Sequence, residues 1–321
     1  MTQYTKKDFE TSNDVRWCPG CGDYAILSAV QKVLPELGAA PEKTVFVSGI
    51  GCAGRFPYYM NTYGFHTIHG RAPAVASGLK LMRDDLSVWI VTGDGDGLSI
   101  GTNHLIHCLR RNFNVNILLF NNEIYGLTKG QFSPTSKRGQ KTKTSPQGLS
   151  DAPLNPIQMA LSAGATFVAR AIDKDPKQLM AILKQAHEHE GASFVEIYQN
   201  CNIFNDGAFD DFAIKVNRKQ HTVHLNHGKK LTFGQDSQWA LDHQSDTFTI
   251  TDNHEAISFH HDSKDKHRAF ALAELHYPDF PVPLGVFYEH QADREKSVEK
   301  VSQNSDEDLM NLLQGSNSWH A

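Results

Sequence analysis

Two hydrophobic runs that stop in small polar clusters constrain this chain more than any other feature. Val88–Thr92 (VWIVT) runs into Gly93-Asp94-Gly95-Asp96-Gly97, and Ile117–Phe120 (ILLF) runs into Asn121-Asn122, with 26 residues between Gly95 and Asn122. Short apolar runs bounded by turn residues read as strands buried on both faces, the pattern of a parallel sheet covered by helices. In such sheets ligands bind beyond the carboxyl ends of the strands. Asp94 and Asn122 would place a carboxylate and a carboxamide oxygen at two such ends. These are hard ligands of the kind Mg²⁺ takes when phosphate oxygens and water complete its shell. The neighbouring glycines let the backbone come close to a diphosphate.

The same alternation runs along most of the chain. Tyr24–Glu36, behind Asp23 as N-cap, has apolar residues at helical spacing, and Val45–Ser48 follows as a strand. Ala72–Met82 and Ile100–Arg111 read as helices around strand Val88–Thr92, and Val115–Phe120 as the next strand. Helices over Pro156–Ala163 and Pro176–His189 then flank strand Thr166–Arg170, and strand Phe194–Tyr198 closes the series. The expected fold class is α/β, a parallel sheet wrapped by helices. The clusters GIGC, GDGDG, NNEIYG and QNCN all fall at strand ends. From about Ala213 histidines become frequent and alternation such as Thr247–Thr251 suggests short strands. We therefore expect a cofactor-binding part over 1–212 and a C-terminal extension over 213–321, with a weak helical signal at the end of the polar stretch Glu295–Leu313. His260, His261 and His267 match no metal-site spacing and are expected to be exposed.

Four of the five cysteines stand where loops would gather them. Cys18-Pro-Gly-Cys21 precedes the first helix, Cys52 follows the first strand, and Cys201 follows Phe194–Tyr198. Four thiolates from three segments suit a [4Fe–4S] cluster or zinc. A thioredoxin-type dithiol would use Cys18 and Cys21 and leave Cys52 and Cys201 unexplained. Disulfides are not expected from an odd count without a secretion signal. Cys108, within the amphipathic Ile100–Arg111, reads as a buried inert thiol.

The GDG and NN pair resembles the thiamine-diphosphate motif. Together with the cysteine quartet it resembles the β subunit of 2-oxoacid:ferredoxin oxidoreductases, most closely the two-subunit enzyme for 2-oxoglutarate. The runs that carry the likeness are RWCPGCGDY (16–24), VFVSGIGCAGRFPY (45–58), HGRAPAVASG (69–78), GDGDGLS (93–99), FNNEIYGLTKGQFSPT (120–135) and EIYQNCNIFNDGAF (196–209). The resemblance implies a thiamine-diphosphate fold and oxidative decarboxylation of a 2-oxoacid to an acyl-CoA, succinyl-CoA from 2-oxoglutarate. Electrons would pass through a [4Fe–4S] cluster to ferredoxin. It implies Mg²⁺ on Asp94, Asn122 and the Ile124 carbonyl, with Gly93, Gly95 and Asp96 beside the cofactor. The cluster would sit on Cys18, Cys21, Cys52 and Cys201. His69 and Arg71 resemble residues near the cofactor, although Arg71 equally suits bonding to a loop carbonyl. Arg55 and Lys129 match positions associated with the substrate pocket, where they would meet the second carboxylate of 2-oxoglutarate. No Glu in this chain lies in a motif for activating the cofactor ring; the resemblance implies that an α subunit supplies it.

Other readings stay open at this point. A pyruvate or broad-specificity 2-oxoacid enzyme shares every motif. A non-redox thiamine-diphosphate lyase or carboligase would not need the quartet, and a zinc-stabilised binding module would not need GDG and NN. The polar loop Gln131–Gln147 carries Lys137, Arg138, Lys141 and Lys143 and reads as solvated surface, or else as a patch for coenzyme A phosphates or an acidic ferredoxin. A net charge of -5 argues against general nucleic-acid binding. No apolar run approaches membrane-spanning length, and the polar N-terminus lacks a signal core, so a cytoplasmic location is expected.

Overall fold

The computed structural model describes residues 4–244, 247–255, 257–293 and 305–315. Its centre is an eight-stranded sheet. The strands are β1 (Thr44–Ser48), β2 (Tyr63–His66), β3 (Ser87–Gly93), β4 (Val115–Asn121), β5 (Phe167–Ile172), β6 (Ala192–Tyr198), β7 (Thr222–Leu225) and, last in the chain, β11 (Val282–Glu289). They lie in the order β2-β1-β3-β4-β6-β5-β11-β7. The first six are parallel to one another. β11 runs antiparallel to β5 and carries β7 parallel to itself. A second sheet holds β8 (Leu231–Phe233), β9 (Trp239–Gln244) and β10 (Thr247–Thr251), all antiparallel.

Alternation along the strands builds two cores. Val45, Val47, Val88, Ile90, Ile117 and Leu119 face one side, where α2 (Ala72–Met82), α3 (Thr102–Arg110), α4 (Pro156–Ser162) and α8 (Lys266–Glu274) pack. Phe46, Trp89, Val91, Leu118 and Phe120 face the other, under α1 (Asp23–Glu36) and α5 (Pro176–Glu188). Successive strand residues point to opposite faces, so only nearly unbroken apolar runs can serve both layers. The short α6 (Asp210–Ala213) and α7 (Lys215–His221) lead from this body towards β7, and α9 (Asp306–Leu313) lies near the end of the chain.

The α/β expectation therefore holds, with helices on both faces of a mostly parallel sheet. The change of composition at residue 213 coincides with no break in the sheet, since β7 and β11 both come from beyond it. Asp23 is not the N-cap. It is the first residue of α1, the cap is Gly22, and Asp23 is buried beside Cys21 and Asp173. His260 and His267 are exposed as expected, but His261 is buried and its Nε2–H donates to the Val286 carbonyl at 2.8 Å. A polar ring is needed there to satisfy a carbonyl of β11, which explains an inward histidine. The weak helical signal corresponds to α9; residues 295–304 of Glu295–Leu313 lie outside the described residues.

Candidate active site

β1, β3, β4 and β6 end along one rim, and the loops that leave them enclose a cleft. Its walls include Ile50, Cys52, His69, Gly93, Asp94, Asp96, Asn122, Ile124 and Gln199. Asp94 is buried, and desolvation raises its pKa against the opposing hydrogen bonds of Thr135, Ser133 and the Gly95 backbone. Thr135 Oγ1 stands 2.6 Å from Asp94 Oδ2 and 2.9 Å from Asn121 Oδ1. Asn122 gives its Nδ2–H to Gln199 Oε1 at 2.9 Å, and its Oδ1 accepts from Ile124 N at 3.2 Å. A buried carboxylate, a carboxamide oxygen and a main-chain carbonyl in one cleft form a hard-oxygen set suited to Mg²⁺. A bound cation would also offset the desolvation that raises Asp94. Gly95 is required by close packing: a Cβ there would lie 2.3 Å from the Tyr125 ring, whose hydroxyl donates to the Gly95 carbonyl at 2.8 Å.

Asp96 lines the cleft but spends its carboxylate on the surrounding loops. Oδ1 accepts from Ile50 N at 3.1 Å and Gly70 N at 2.8 Å, and Oδ2 accepts from Thr92 Oγ1 at 2.6 Å. His69 Nδ1 lies 2.7 Å from Asp96 Oδ1 without hydrogen-bond alignment. Three loops are thus clamped by one side chain. Arg71 donates to the His69 and Ile100 carbonyls at 3.4 and 3.3 Å, the loop-carbonyl role. Neither Arg71, Arg55 nor Lys129 lines the cleft within this chain. Arg55 is exposed beside Tyr59, and Lys129 is exposed in a turn with φ 76. Of the polar loop, Lys137, Arg138, Lys141 and Lys143 are all exposed, and Lys137 reaches both Glu123 at 3.7 Å and the Ala208 carbonyl at 3.1 Å.

The thiols gather beside the cleft, and Cys52 belongs to its wall. A Cβ on Gly126 would sit 3.4 Å from Cys201 Sγ and 4.0 Å from Cys52 Sγ, so these two sulfurs face the same spot. Burial, with the nearby Asp23, Cys201 and Cys18, pushes the Cys52 thiol up to about 12. Burial and Asp23 likewise raise Cys21, which also senses Cys52 and Cys201. Two thiols so reluctant to ionise, Cys21 and Cys52, fit a cationic inorganic partner that takes over the negative charge. Among the described residues no three His, Cys, Asp or Glu side chains converge tightly enough to hold a single metal ion as they stand. One zinc, with Zn–S bonds of about 2.3 Å, would need the thiols to close in. Cys108 is buried in α3, away from this group.

Sequence reasoning missed Thr135, Gln199 and a buried pair behind the rim. Arg170 Nε donates to Glu196 Oε2 at 2.7 Å, and Glu196 Oε1 accepts from Asn121 Nδ2 at 2.7 Å. These groups and Glu123 line a second cavity of about 320 Å³. Burial pushes Glu123 up to about 7. A charged residue inside an otherwise apolar strand, such as Glu196 in FVEIY, was the available signal for the pair.

The fold and this rim define a thiamine-diphosphate-binding domain. Residues 49–197 match the family described as thiamine pyrophosphate enzyme, C-terminal TPP binding domain. The chain is 58% identical over 235 residues to 2-oxoglutarate oxidoreductase subunit KorB of Mycobacterium tuberculosis, covering 73% of this chain and 63% of that one. It is 39% identical over 220 residues to 2-oxoglutarate synthase subunit KorB of Methanocaldococcus jannaschii, covering 67% and 81%. A solved structure of 2-oxoglutarate:ferredoxin oxidoreductase from Magnetococcus marinus, with 2-oxoglutarate, coenzyme A and succinyl-CoA bound, superposes with TM-score 0.75 at 35% identity over 92% of this chain and 88% of that one. The chain belongs to the family of 2-oxoacid:ferredoxin oxidoreductase β subunits. Its match spans somewhat less than two thirds of the Mycobacterium tuberculosis relative. Among the described residues no helix is long and apolar enough to cross a membrane.

Proposed function

We propose that the chain is the cofactor-bearing half of a cytoplasmic 2-oxoacid:ferredoxin oxidoreductase that converts 2-oxoglutarate and coenzyme A to succinyl-CoA. The observation that carries this reading is the shared wall: Cys52 of the thiol group lines the same cleft as Asp94, Asn122 and Ile124. A decarboxylation site and an electron acceptor would then be neighbours. Thiamine diphosphate supplies the nucleophilic carbon and electron sink that decarboxylation needs, and a [4Fe–4S] cluster accepts electrons singly.

The chain's own residues hold these groups. Asp94 and Asn122 side-chain oxygens and the Ile124 carbonyl take Mg²⁺, and Gly93 and Gly95 admit the diphosphate. Asp96 fixes the loops around them, including the one that carries His69, while Arg71 braces the loop carbonyls. Cys18, Cys21, Cys52 and Cys201 hold the cluster. The acids among the described cleft residues are Asp23, Asp94 and Asp96. The Glu that activates the cofactor ring is assigned to an α subunit seated over the rim. Closure by that subunit would bring Arg55 and Lys129 to the distal carboxylate of 2-oxoglutarate, where charge-assisted pairing is worth about tenfold to a hundredfold over pyruvate. Ferredoxin receives the electrons.

The test is anaerobic co-purification with the α subunit, then iron, sulfide, zinc and thiamine-diphosphate analysis and kcat/KM for both acids. Brown protein with about four irons per chain and a preference for 2-oxoglutarate is expected. Zinc in place of iron, or colourless protein that decarboxylates without reducing ferredoxin, would overturn the redox reading. A preference for pyruvate would overturn the substrate alone.

A further inference from the structure

The Gln199 amide touches both halves of the site. It is 1% exposed and lies in the first turn beyond β6, where its backbone N–H donates to the Asn121 carbonyl at 2.9 Å. Nε2 donates to the Asn200 carbonyl at 2.6 Å and stands 3.2 Å from Cys21 Sγ. Oε1 accepts from Asn122 Nδ2 at 2.9 Å. One NH₂ group has two hydrogens, so both donor contacts are satisfied together.

These contacts fix which end of each amide points where. A carbonyl can only accept, so the Asn200 carbonyl requires the NH₂ of Gln199 on its side. A flipped Gln199 would set oxygen against oxygen there and NH₂ against NH₂ at Asn122. With Gln199 fixed, Asn122 must offer its NH₂ to Oε1. Its Oδ1 is thereby turned the other way, where it accepts from Ile124 N. The oxygen end of Asn122, the end a cation needs, is thus selected by a residue 77 positions away. The same Gln199 NH₂ meets the sulfur of Cys21.

We infer that Gln199 is a positioning residue shared by the two sites: it orients the Asn122 oxygen for Mg²⁺ and gives Cys21 Sγ an N–H hydrogen bond that tunes a cluster held there. This rests on the reading under Proposed function. Hydrogen bonds to cluster sulfurs help set the reduction potential. A donor stabilises the more negative reduced state, so its removal lowers the potential. Without Oε1, the Asn122 amide is held against rotation only by the longer contact from Ile124 N at 3.2 Å, and an NH₂ turned toward the cation repels it.

The experiment uses the assembled αβ protein carrying Gln199→Met, which keeps length and loses every polar atom. Redox titration followed by electron paramagnetic resonance is expected to show reduction disfavoured by about tenfold, equivalent to ~59 mV for one electron. Calorimetry with thiamine diphosphate and Mg²⁺ is expected to show about tenfold weaker binding. A scaffold role alone would not move the potential of a fully loaded cluster. If Gln199→Met fails to load iron, Gln199→Glu carries the test. It keeps the shape but has at most one hydrogen to give, so it cannot serve both acceptors, and it should also lower the potential. An unchanged potential in a loaded variant overturns the sulfur contact, and unchanged thiamine-diphosphate affinity overturns the Asn122 contact. Wild-type protein without an iron–sulfur signal overturns the cluster reading and with it the sulfur half, while the affinity measurement still decides the other half.

Discussion

Thr135 has one hydroxyl hydrogen and its two nearest acceptors are Asp94 Oδ2 at 2.6 Å and Asn121 Oδ1 at 2.9 Å, with Ser133 Oγ further off at 3.2 Å. When Asp94 is ionised the charge-assisted bond wins, because hydrogen bonds to charged groups are worth about 1.5–3 kcal/mol against about 1 for neutral pairs. Thr135→Val keeps the shape and removes the donor. Mg²⁺-dependent thiamine-diphosphate affinity should fall at least about tenfold by calorimetry, with the fold intact by circular dichroism. The thiols make a separate residue-scale prediction. Cys18→Ser, Cys21→Ser, Cys52→Ser and Cys201→Ser should each lower iron content, because a serine oxygen is a poor substitute for thiolate. Cys108→Ser should keep its iron, since Cys108 lies inside α3 among Leu105 and Leu109. Iron analysis of the five variants decides it, and retention by Cys201→Ser with loss in Cys108→Ser would overturn the quartet.

Between elements, the Arg170–Glu196 pair locks β5 to β6 and reaches Asn121 at the end of β4. Arg170→Met leaves Glu196 a buried charge without its cation and should cost about 3–5 kcal/mol in chemical denaturation. Replacing Glu196 by Met as well should recover much of that loss, because a buried pair exchanged whole for apolar groups is often close to neutral. His189, at the C-cap of α5, gives a pH dependence. Thr166 Oγ1 donates to Asn112 Oδ1 at 2.7 Å, so His189 Nε2, also 2.7 Å from Thr166 Oγ1, carries the proton and donates. Its Nδ1 is buried without a partner, and burial lowers the pKa from the usual 6.5 to about 4. Between these values the unfolded chain binds a proton that the folded chain refuses. The contribution is therefore complete above pH 6.5 and is lost as the pH falls towards 4. Allowing for solvent screening it is about 1–2 kcal/mol, and His189→Gln should flatten that part of the stability profile. Elements such as β3, β4 and α2 were legible in the sequence because each carries its own apolar pattern and ends in its own signal. β2 was not, since all four of its residues are exposed and no apolar run marks it. β11 holds Pro283 and Gly285, residues that argue against a strand, although it lies between β5 and β7. The motif residues of the site were legible for the same local reason. Thr135 and Gln199 were not, because their partners lie 41, 77 and 178 positions away and pairing at that range leaves no periodic trace.

For the whole molecule, the cleft opens along a rim on which exposed Ile68 and Leu127 flank His69 and Gly126. Purified alone with thiamine diphosphate and Mg²⁺, the chain should show no 2-oxoacid decarboxylation, and adding its α subunit should restore turnover. Carbon dioxide release by the lone chain would contradict the half-site proposal. The strand order has another consequence, which belongs to synthesis. From Ile172 at the end of β5 to Val282 at the start of β11 the ribosome must add 109 intervening residues. At roughly 5–20 residues per second that takes about 5–20 s. Until then β5 is an unpaired sheet edge, open to pairing with any other strand. Cys201, the last of the four thiols, emerges well inside that interval. A nascent chain thus offers its complete thiol set while its sheet is still unsealed, so loading of the proposed cluster would compete in time with the arrival of β11, and a chaperone that masks the β5 edge would serve both.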